Sequence, residues 1–258
     1  MTQPLKPTTA YGEFASPGDI QTAIVEFSKA LRTHRILTHL APPANVDLQD
    51  YYRRLSEGAG SFVKRDENYL NGDQTEAQED WMDIRFDALR QKESFRYSAT
   101  RQPIHTDGAY LAYEFDISFF FCLVQAQYGG ATTFIDGVAL IDLLKKVEPE
   151  MLRELETHEV IFDKGVQQIK VRPVISYDDV GPLLNWNSFR ISDKNSPEIK
   201  SLCLRFAEFC EKKIFETGLL TGIQLKPGEA VFFHDKRVLH GRNAFIGDRC
   251  LIKGGISL

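Results

Sequence analysis

The sequence predicts a mainly β protein with helices, an α+β arrangement in which a jelly roll (a double-stranded β-helix) forms the core and helices flank it. Three observations carry that expectation. Strand-like stretches fall into two separated groups, one from Arg96 to Ile135 and one from Gly222 to the C-terminus. Helical apolar spacing appears before the first group and between the two. The chain has 258 residues with no internal repeat, low-complexity segment or linker, which predicts a single domain over residues 1–258.

Taken in order, Ser16-Pro17 predicts a helix start, with a capping hydroxyl and proline at the first helical position. Ile20, Ile24, Phe27 and Leu31 follow at helical spacing. Ile36 to Leu40 reads as a strand closed by Pro42-Pro43, and Asp47 to Leu55 as a second helix. From Gly58 to Lys92 the periodicity weakens, which predicts a long loop and, near residues 58–91, an active-site lid. Gly58, Gly60, Asn71 and Gly72 would be its hinges, and Phe62, Lys64, Arg65 and Tyr69 would complete a pocket wall. Val138 to Leu155 predicts one helix, with Leu140, Leu144 and Leu152 on its apolar side. Strands are expected at Glu159–Phe162, Gln168–Ile175 and along PLLNWNSFRI. Ser196-Pro197 opens a helix running to about Thr217.

Composition narrows the function class. Hydrophobic residues make up 43% and charged residues 26%, an ordinary soluble balance. A net charge of −5 without a long basic run argues against a nucleic-acid partner. No apolar stretch nears the roughly 20 residues of a membrane helix, and Ile117 to Ala126 reads as a buried strand. The polar N-terminus lacks a signal-like apolar region, so neither a membrane nor secretion is expected, and the cytoplasm is the expected compartment. Cys122, Cys203, Cys210 and Cys250 form no CxxC pair, which excludes zinc-ribbon and thioredoxin readings. Cys203 and Cys210 share a helical face and read as small core residues.

The chemistry lies in IHTDGAY. Residues two apart in a strand point to one face, so His105 and Asp107 can reach one metal. An imidazole and a carboxylate are two thirds of the facial triad that binds Fe(II) and leaves coordination positions open. His240, ending an apolar strand pattern before Gly241-Arg242, supplies the third ligand if two distant strands meet. Arg249 offers a guanidinium fork for a carboxylate near the metal. Asn185, Asn187 and Arg190, alternating along their strand, with Arg242 and Arg172, are candidates to face a small polar substrate such as an amino acid or other carboxylate. His234 is expected to pack rather than ligate and is the next candidate ligand after His240. His34, His39 and His158 read as surface or strand-edge residues.

These motifs resemble the taurine dioxygenase and clavaminate synthase-like family of 2-oxoglutarate oxygenases. The resemblance runs over Arg96 to Thr133 and from Leu225 to the C-terminus: His105-Thr106-Asp107, FFFCLVQAQ, Gly129-Gly130-Ala131-Thr132, then PGEAVFFHDKRVLHGRNAF and Arg249. It implies a dioxygenase that uses Fe(II), 2-oxoglutarate and O2, releases succinate and CO2, and most simply hydroxylates its substrate. By that resemblance His105, Asp107 and His240 are the iron ligands, and Arg249 and Thr132 hold 2-oxoglutarate. The short His240–Arg249 loop keeps Arg242 and Lys253 as alternative partners for its carboxylate. Asp107 at the carboxylate position argues against halogenation. A non-catalytic metal- or ligand-binding jelly roll, or an iron oxygenase without 2-oxoglutarate, is the alternative reading.

Overall fold

A computed structural model of the chain describes residues 7–16, 18–40, 42–63, 65–67, 74–79, 81–111, 115–164 and 168–258, with backbone alone at 65–67 and 74–79. Two sheets dominate. The larger runs in the order Thr9–Ala15, His34–Leu40, Ala230–His234, Ile117–Val124, Cys250–Ser257, and its last strand takes both Ser61–Phe62 and Met82–Arg85 on its outer edge. Its first two strands are parallel and the remaining pairs antiparallel. The smaller sheet runs Thr221–Ile223, Thr132–Asp136, Val238–Arg242, Gln102–His105, antiparallel throughout. The outcome is the expected α+β jelly-roll core with flanking helices.

Both sheets are covered on both faces, which explains why ISFFFCLV shows no polar alternation. Phe120, Val231, Phe233 and Leu251 point inward and meet Phe134 of the smaller sheet. Their strand neighbours Phe119, Phe121 and Phe232 point outward onto helices α1 (Ile20–Thr33) and α2 (Leu48–Ala59). Phe232 stacks on Phe119 at 4.6 Å and meets Phe27 of α1 edge-on at 4.7 Å. Outside the smaller sheet, α3 (Gly137–Val147), α4 (Pro149–Thr157) and α5 (Pro197–Phe209) build a further apolar cluster that holds Cys203 and Cys210. A π-type turn, Cys210–Phe215, extends α5 toward the predicted end.

Several elements differ from expectation for identifiable reasons. Helix α1 is capped by Asp19, which accepts from the Thr22 N–H at 2.9 Å. Ser16 is spent elsewhere, its hydroxyl lying 2.9 Å from His39 Nε2, and Pro17 lies outside the described residues. The predicted Val138–Leu155 helix is two helices, because Pro149 lacks the N–H needed to continue α3 and instead starts α4. Pro173 likewise divides the expected Gln168–Ile175 strand into Ile169–Arg172 and Ile175–Tyr177. Thr9–Ala15 is a strand that the polar N-terminus concealed.

The predicted 58–92 loop is partly regular. Gly58 lies inside α2, and Met82–Arg85 is a strand paired with Cys250–Lys253. Phe62 packs on Trp81 at 4.8 Å and on Phe119 at 6.4 Å, so it is a core residue and not a pocket wall. Lys64, Tyr69, Asn71 and Gly72, and the side chain of Arg65, lie outside what is described. His39 is no surface histidine. It is fully buried, with the hydroxyls of Tyr51 and Tyr52 each 3.1 Å from its ring nitrogens.

Candidate metal and co-substrate site

The smaller sheet brings the distant histidines together, because His240 pairs with His105 directly across two antiparallel strands. Gly241 lets those strands approach: a Cβ there would sit 2.6 Å from the Gln102 carbonyl oxygen. The two imidazole rings lie 4.4 Å apart, centre to centre. Asp107 arrives differently from the strand-face expectation. The strand stops at His105, and Asp107 stands in the turn that follows. Asp235 holds that turn, its carboxylate accepting from the N–H groups of Asp107 at 2.8 Å and Gly108 at 3.0 Å. Thr106 ties it on the other side, its N–H donating to the Trp186 carbonyl at 2.7 Å.

Ligand-capable atoms of His105, Asp107 and His240 all lie within 4.8 Å of one another. Asp107 Oδ1 is 3.8 Å from His105 Nε2 and 3.7 Å from His240 Nε2, too long for hydrogen bonds. Two ligands on one ion, each about 2.1 Å from it, can stand up to about 4.2 Å apart. The other oxygen, Oδ2, takes the Lys253 ammonium at 2.5 Å and the Ser118 hydroxyl at 2.7 Å. His105 Nδ1 lies 2.9 Å from the Pro103 carbonyl, so it carries the proton and presents the Nε2 lone pair to the cluster. The Gln102 amide Nε2, 3.2 Å away, is positioned to donate to that lone pair.

Electrostatics favour a cation among these groups. Burial pulls the pKa of His105 and, more strongly, of His240 below the ordinary histidine value, which keeps both rings neutral donors. Burial alone would raise Asp107, but the Lys253 ammonium and the two imidazoles outweigh it and hold the carboxyl well below its usual range. Among the described residues, the buried His240 Nδ1 has no hydrogen-bond partner. Two neutral nitrogens and one carboxylate oxygen facing a common point fit a divalent metal of the facial-triad kind.

Beside the triad is a cavity of about 210 Å³ lined by His105, Asp107, His240, Thr132, Arg242 and Arg249, among others. Arg242 and Arg249 are buried close enough to repel one another. Burial and that repulsion lower Arg242 to about 9, and burial lowers Arg249 to about 10. Arg242 gives its guanidinium to the carbonyls of Phe95, Ser98 and Thr100 at 3.1, 2.7 and 2.8 Å. Arg249 donates to the Gly130 carbonyl at 3.1 Å, and among the described residues it has no carboxylate partner. A buried guanidinium in this state can bind an incoming carboxylate, and Thr132 lines the same cavity.

Other expected site residues divide. Asn187 and Arg190 line the cavity, but Asn185 is buried away from it and donates to the Ala109 carbonyl at 3.1 Å. The alternation fails because the strand ends at Leu184 and Asn187 caps a 3-10 turn over Ser188–Arg190. Arg172 is in the Val160–Asp163/Ile169–Arg172 hairpin and does not line the cavity. His234 packs as expected, its Nε2 lying 2.9 Å from the Leu31 carbonyl at the end of α1. His158 is an exposed helix end, 3.1 Å from the Glu154 carbonyl. Sequence reasoning missed Asp235 and Ser118, and kept Lys253 as an alternative partner for the co-substrate carboxylate, whereas it pairs with Asp107. A lone charged or hydroxyl residue inside an apolar strand, as in CLIKGG and ISFFF, was the available signal.

The family model described as taurine catabolism dioxygenase TauD, TfdA family matches residues 18–255. Among curated proteins, γ-butyrobetaine dioxygenase of Pseudomonas sp. (strain AK-1) is 29% identical over 170 residues, covering 61% of this chain and 43% of that protein. Trimethyllysine dioxygenase of Meyerozyma guilliermondii is 28% identical over 156 residues, covering 56% and 39%. The match thus spans less than half the length of these relatives. In fold, the chain is similar to the PvcB protein of Pseudomonas aeruginosa, with TM-score 0.67 and 18% identity over 98% of this chain and 87% of that one. It is also similar to an asparagine oxygenase solved with Fe(II), 3-hydroxyasparagine and succinate, with TM-score 0.68 and 12% identity over 93% and 80%. With all but its two ends matched by the family model, the chain belongs to the TauD/TfdA dioxygenase family.

Proposed function

We propose that this protein is an Fe(II)- and 2-oxoglutarate-dependent dioxygenase that oxidises, most simply hydroxylates, a small polar metabolite, releasing succinate and CO2. The convergence of His105, Asp107 and His240 on one point, beside a buried arginine that lacks a carboxylate partner, carries this reading. These three residues would hold the iron, and Arg249 with Thr132 the distal carboxylate of 2-oxoglutarate. Iron bound there would supply the activation of O2 coupled to decarboxylation of the 2-oxo acid. The chain's own contribution is placement. Lys253 and Ser118 occupy Asp107 Oδ2 and leave Oδ1 toward the metal, while Asp235 fixes the turn that carries it. Apolar walls such as Phe120 and Leu251 limit water around the reacting groups.

The curated relatives are named for γ-butyrobetaine and trimethyllysine, and one similar structure holds hydroxyasparagine, so amino-acid-sized substrates are within this reading. Anaerobic titration with Fe(II) and 2-oxoglutarate tests it through the visible absorption band of the iron–co-substrate complex, followed by a metabolite screen for succinate release. The band should appear in the native protein. His105→Ala, Asp107→Ala and His240→Ala should each abolish metal binding while the fold survives. Full-affinity binding by the His240→Ala protein would refute the ligand set. Metal binding without the band or succinate would favour a non-catalytic jelly roll or an oxygenase independent of 2-oxoglutarate.

A further inference from the structure

The strand that carries His105 contains an irregularity. His240 pairs with His105 and Arg242 with Gln102, so two steps along one strand are matched by three along the other. That is a β-bulge with one extra residue, and it takes in Pro103, which has no N–H to give to a ladder. In a regular strand, residues three apart point to opposite faces. The extra residue undoes that alternation. Gln102 is brought to the face of His105, and both line the cavity together with His240 and Arg242 of the neighbouring strand. Bulges beside sites re-aim side chains in this way.

The re-aimed side chain meets the metal site itself. Gln102 Nε2 is 3.2 Å from His105 Nε2, the nitrogen that presents its lone pair to the cluster. An amide oxygen in that place would set two lone pairs against each other, so the N–H end faces the ring. Among the described residues the Gln102 side chain has no other hydrogen bond. A metal on His105 takes that lone pair, and the amide, half-buried in the cavity wall, then needs a new acceptor within the same short reach. The far carboxylate of 2-oxoglutarate belongs to Arg249 and Thr132 in the proposed function. Its near end, the 1-carboxylate and 2-oxo oxygens, is the part with which a 2-oxo acid chelates a divalent metal. An N–H given to that ionised carboxylate makes a charge-assisted bond. The other polar groups around the triad are engaged: Lys253 and Ser118 with Asp107, and Arg242 with backbone carbonyls.

We infer that Gln102 is a co-substrate-binding residue, aimed by the bulge at Pro103, whose amide donates to the metal-chelating end of 2-oxoglutarate. This inference rests on the oxygenase reading of the same cavity. It is tested by anaerobic titration of Fe(II), then 2-oxoglutarate, into the native protein, Gln102→Leu and Gln102→Glu, followed by calorimetry and by the visible band of the complex. Leucine removes both N–H groups at nearly the same volume, and glutamate keeps the shape but sets a negative charge where the donor stood. Gln102→Leu should keep its Fe(II) affinity within about twofold of native, bind 2-oxoglutarate about fivefold or more weakly, and move the band maximum. Gln102→Glu should weaken 2-oxoglutarate by about tenfold or more, because like charges then face one another. Thermal melts check the fold, and if the leucine variant does not fold, the near-isosteric glutamate variant decides by the same readings. Native 2-oxoglutarate affinity with an unmoved band in a folded variant would overturn the inference. So would a fall of about tenfold or more in the Fe(II) affinity of Gln102→Leu, the size expected of a lost metal contact, since Gln102 would then be holding the metal. Absence of the band from the native protein sinks the oxygenase reading and this inference with it, whereas a native band unchanged in both variants sinks this inference alone.

Discussion

Arg242 and Arg249 are neighbouring buried guanidiniums with different tasks. Arg242 is largely occupied by three backbone carbonyls and so braces the Phe95–Thr100 segment. Arg249 retains capacity for a bidentate carboxylate. Arg249→Gln is therefore expected to weaken 2-oxoglutarate by about 2–5 kcal/mol, as truncating one partner of a buried charge pair does, with iron affinity little changed. An unchanged Michaelis constant for 2-oxoglutarate would transfer the role to another residue. Asp235 acts one step further back. Burial and the nearby Asp107 charge push its carboxyl up to about 7, yet it accepts two N–H groups from the turn bearing Asp107. Asp235→Ala leaves those donors buried without a partner, at a cost of about 1–3 kcal/mol each, and frees the ligand to swing. We expect a metal affinity about 10–100-fold lower, read by Fe(II) titration. Native affinity in a folded Asp235→Ala protein would show that the turn holds Asp107 unaided.

At the scale of elements, strand period explains most of the site. Cys250–Ser257 turns Leu251 and Lys253 toward the cavity and Ile252 toward the helices, while Ile117–Val124 turns Ser118 and Phe120 inward beside them. Asp107 breaks that rule, since it meets the histidines through a turn. HxD spacing pointed to two residues that do meet His240, but the pleat is not what aligns them. The predicted lid has a related status. Met82 and Ile84, near its end, line the cavity from a strand paired with Cys250–Lys253, and Phe95 and Arg96 follow close by. We propose that the stretch expected as a lid, near residues 58–91, closes over bound substrate, as sites that must exclude water commonly do. Hydrogen exchange across residues 58–91 should slow only when substrate joins iron and 2-oxoglutarate. Identical exchange in every state would leave the stretch as fixed wall.

Across the whole molecule, two buried histidines that do not line the cavity link stability to pH. His39, among Tyr51 and Tyr52, and His234, against the end of α1, are both lowered by burial from 6.5 to about 4. The unfolded chain therefore takes up their protons first, so the stability they confer is complete above about pH 6.5 and is lost as pH falls toward about 4. Each drop corresponds to about 3 kcal/mol when fully developed. Urea midpoints should be level above neutrality and fall between pH 6.5 and 4, with a shallower fall in His234→Gln. A parallel fall in that variant would remove His234 from the account.

The same contrast between local and distant information divides what could be read from the chain. Sequence by itself determined the strand groups, most helix positions, and the candidate set of His105, Asp107, His240 and Arg249, because apolar period and side-chain type are properties of neighbouring residues. The breaks at Pro149 and Pro173 were not anticipated, because the apolar pattern runs through both prolines. Tertiary structure alone decided that Asp235 clamps the ligand turn, that Lys253 pairs with Asp107, that Asn185 faces away, and that Lys164 and Arg190 share Tyr110. Those contacts join residues 54 to 146 positions apart in the chain, and only packing the two sheets and their helices together brings such groups within reach.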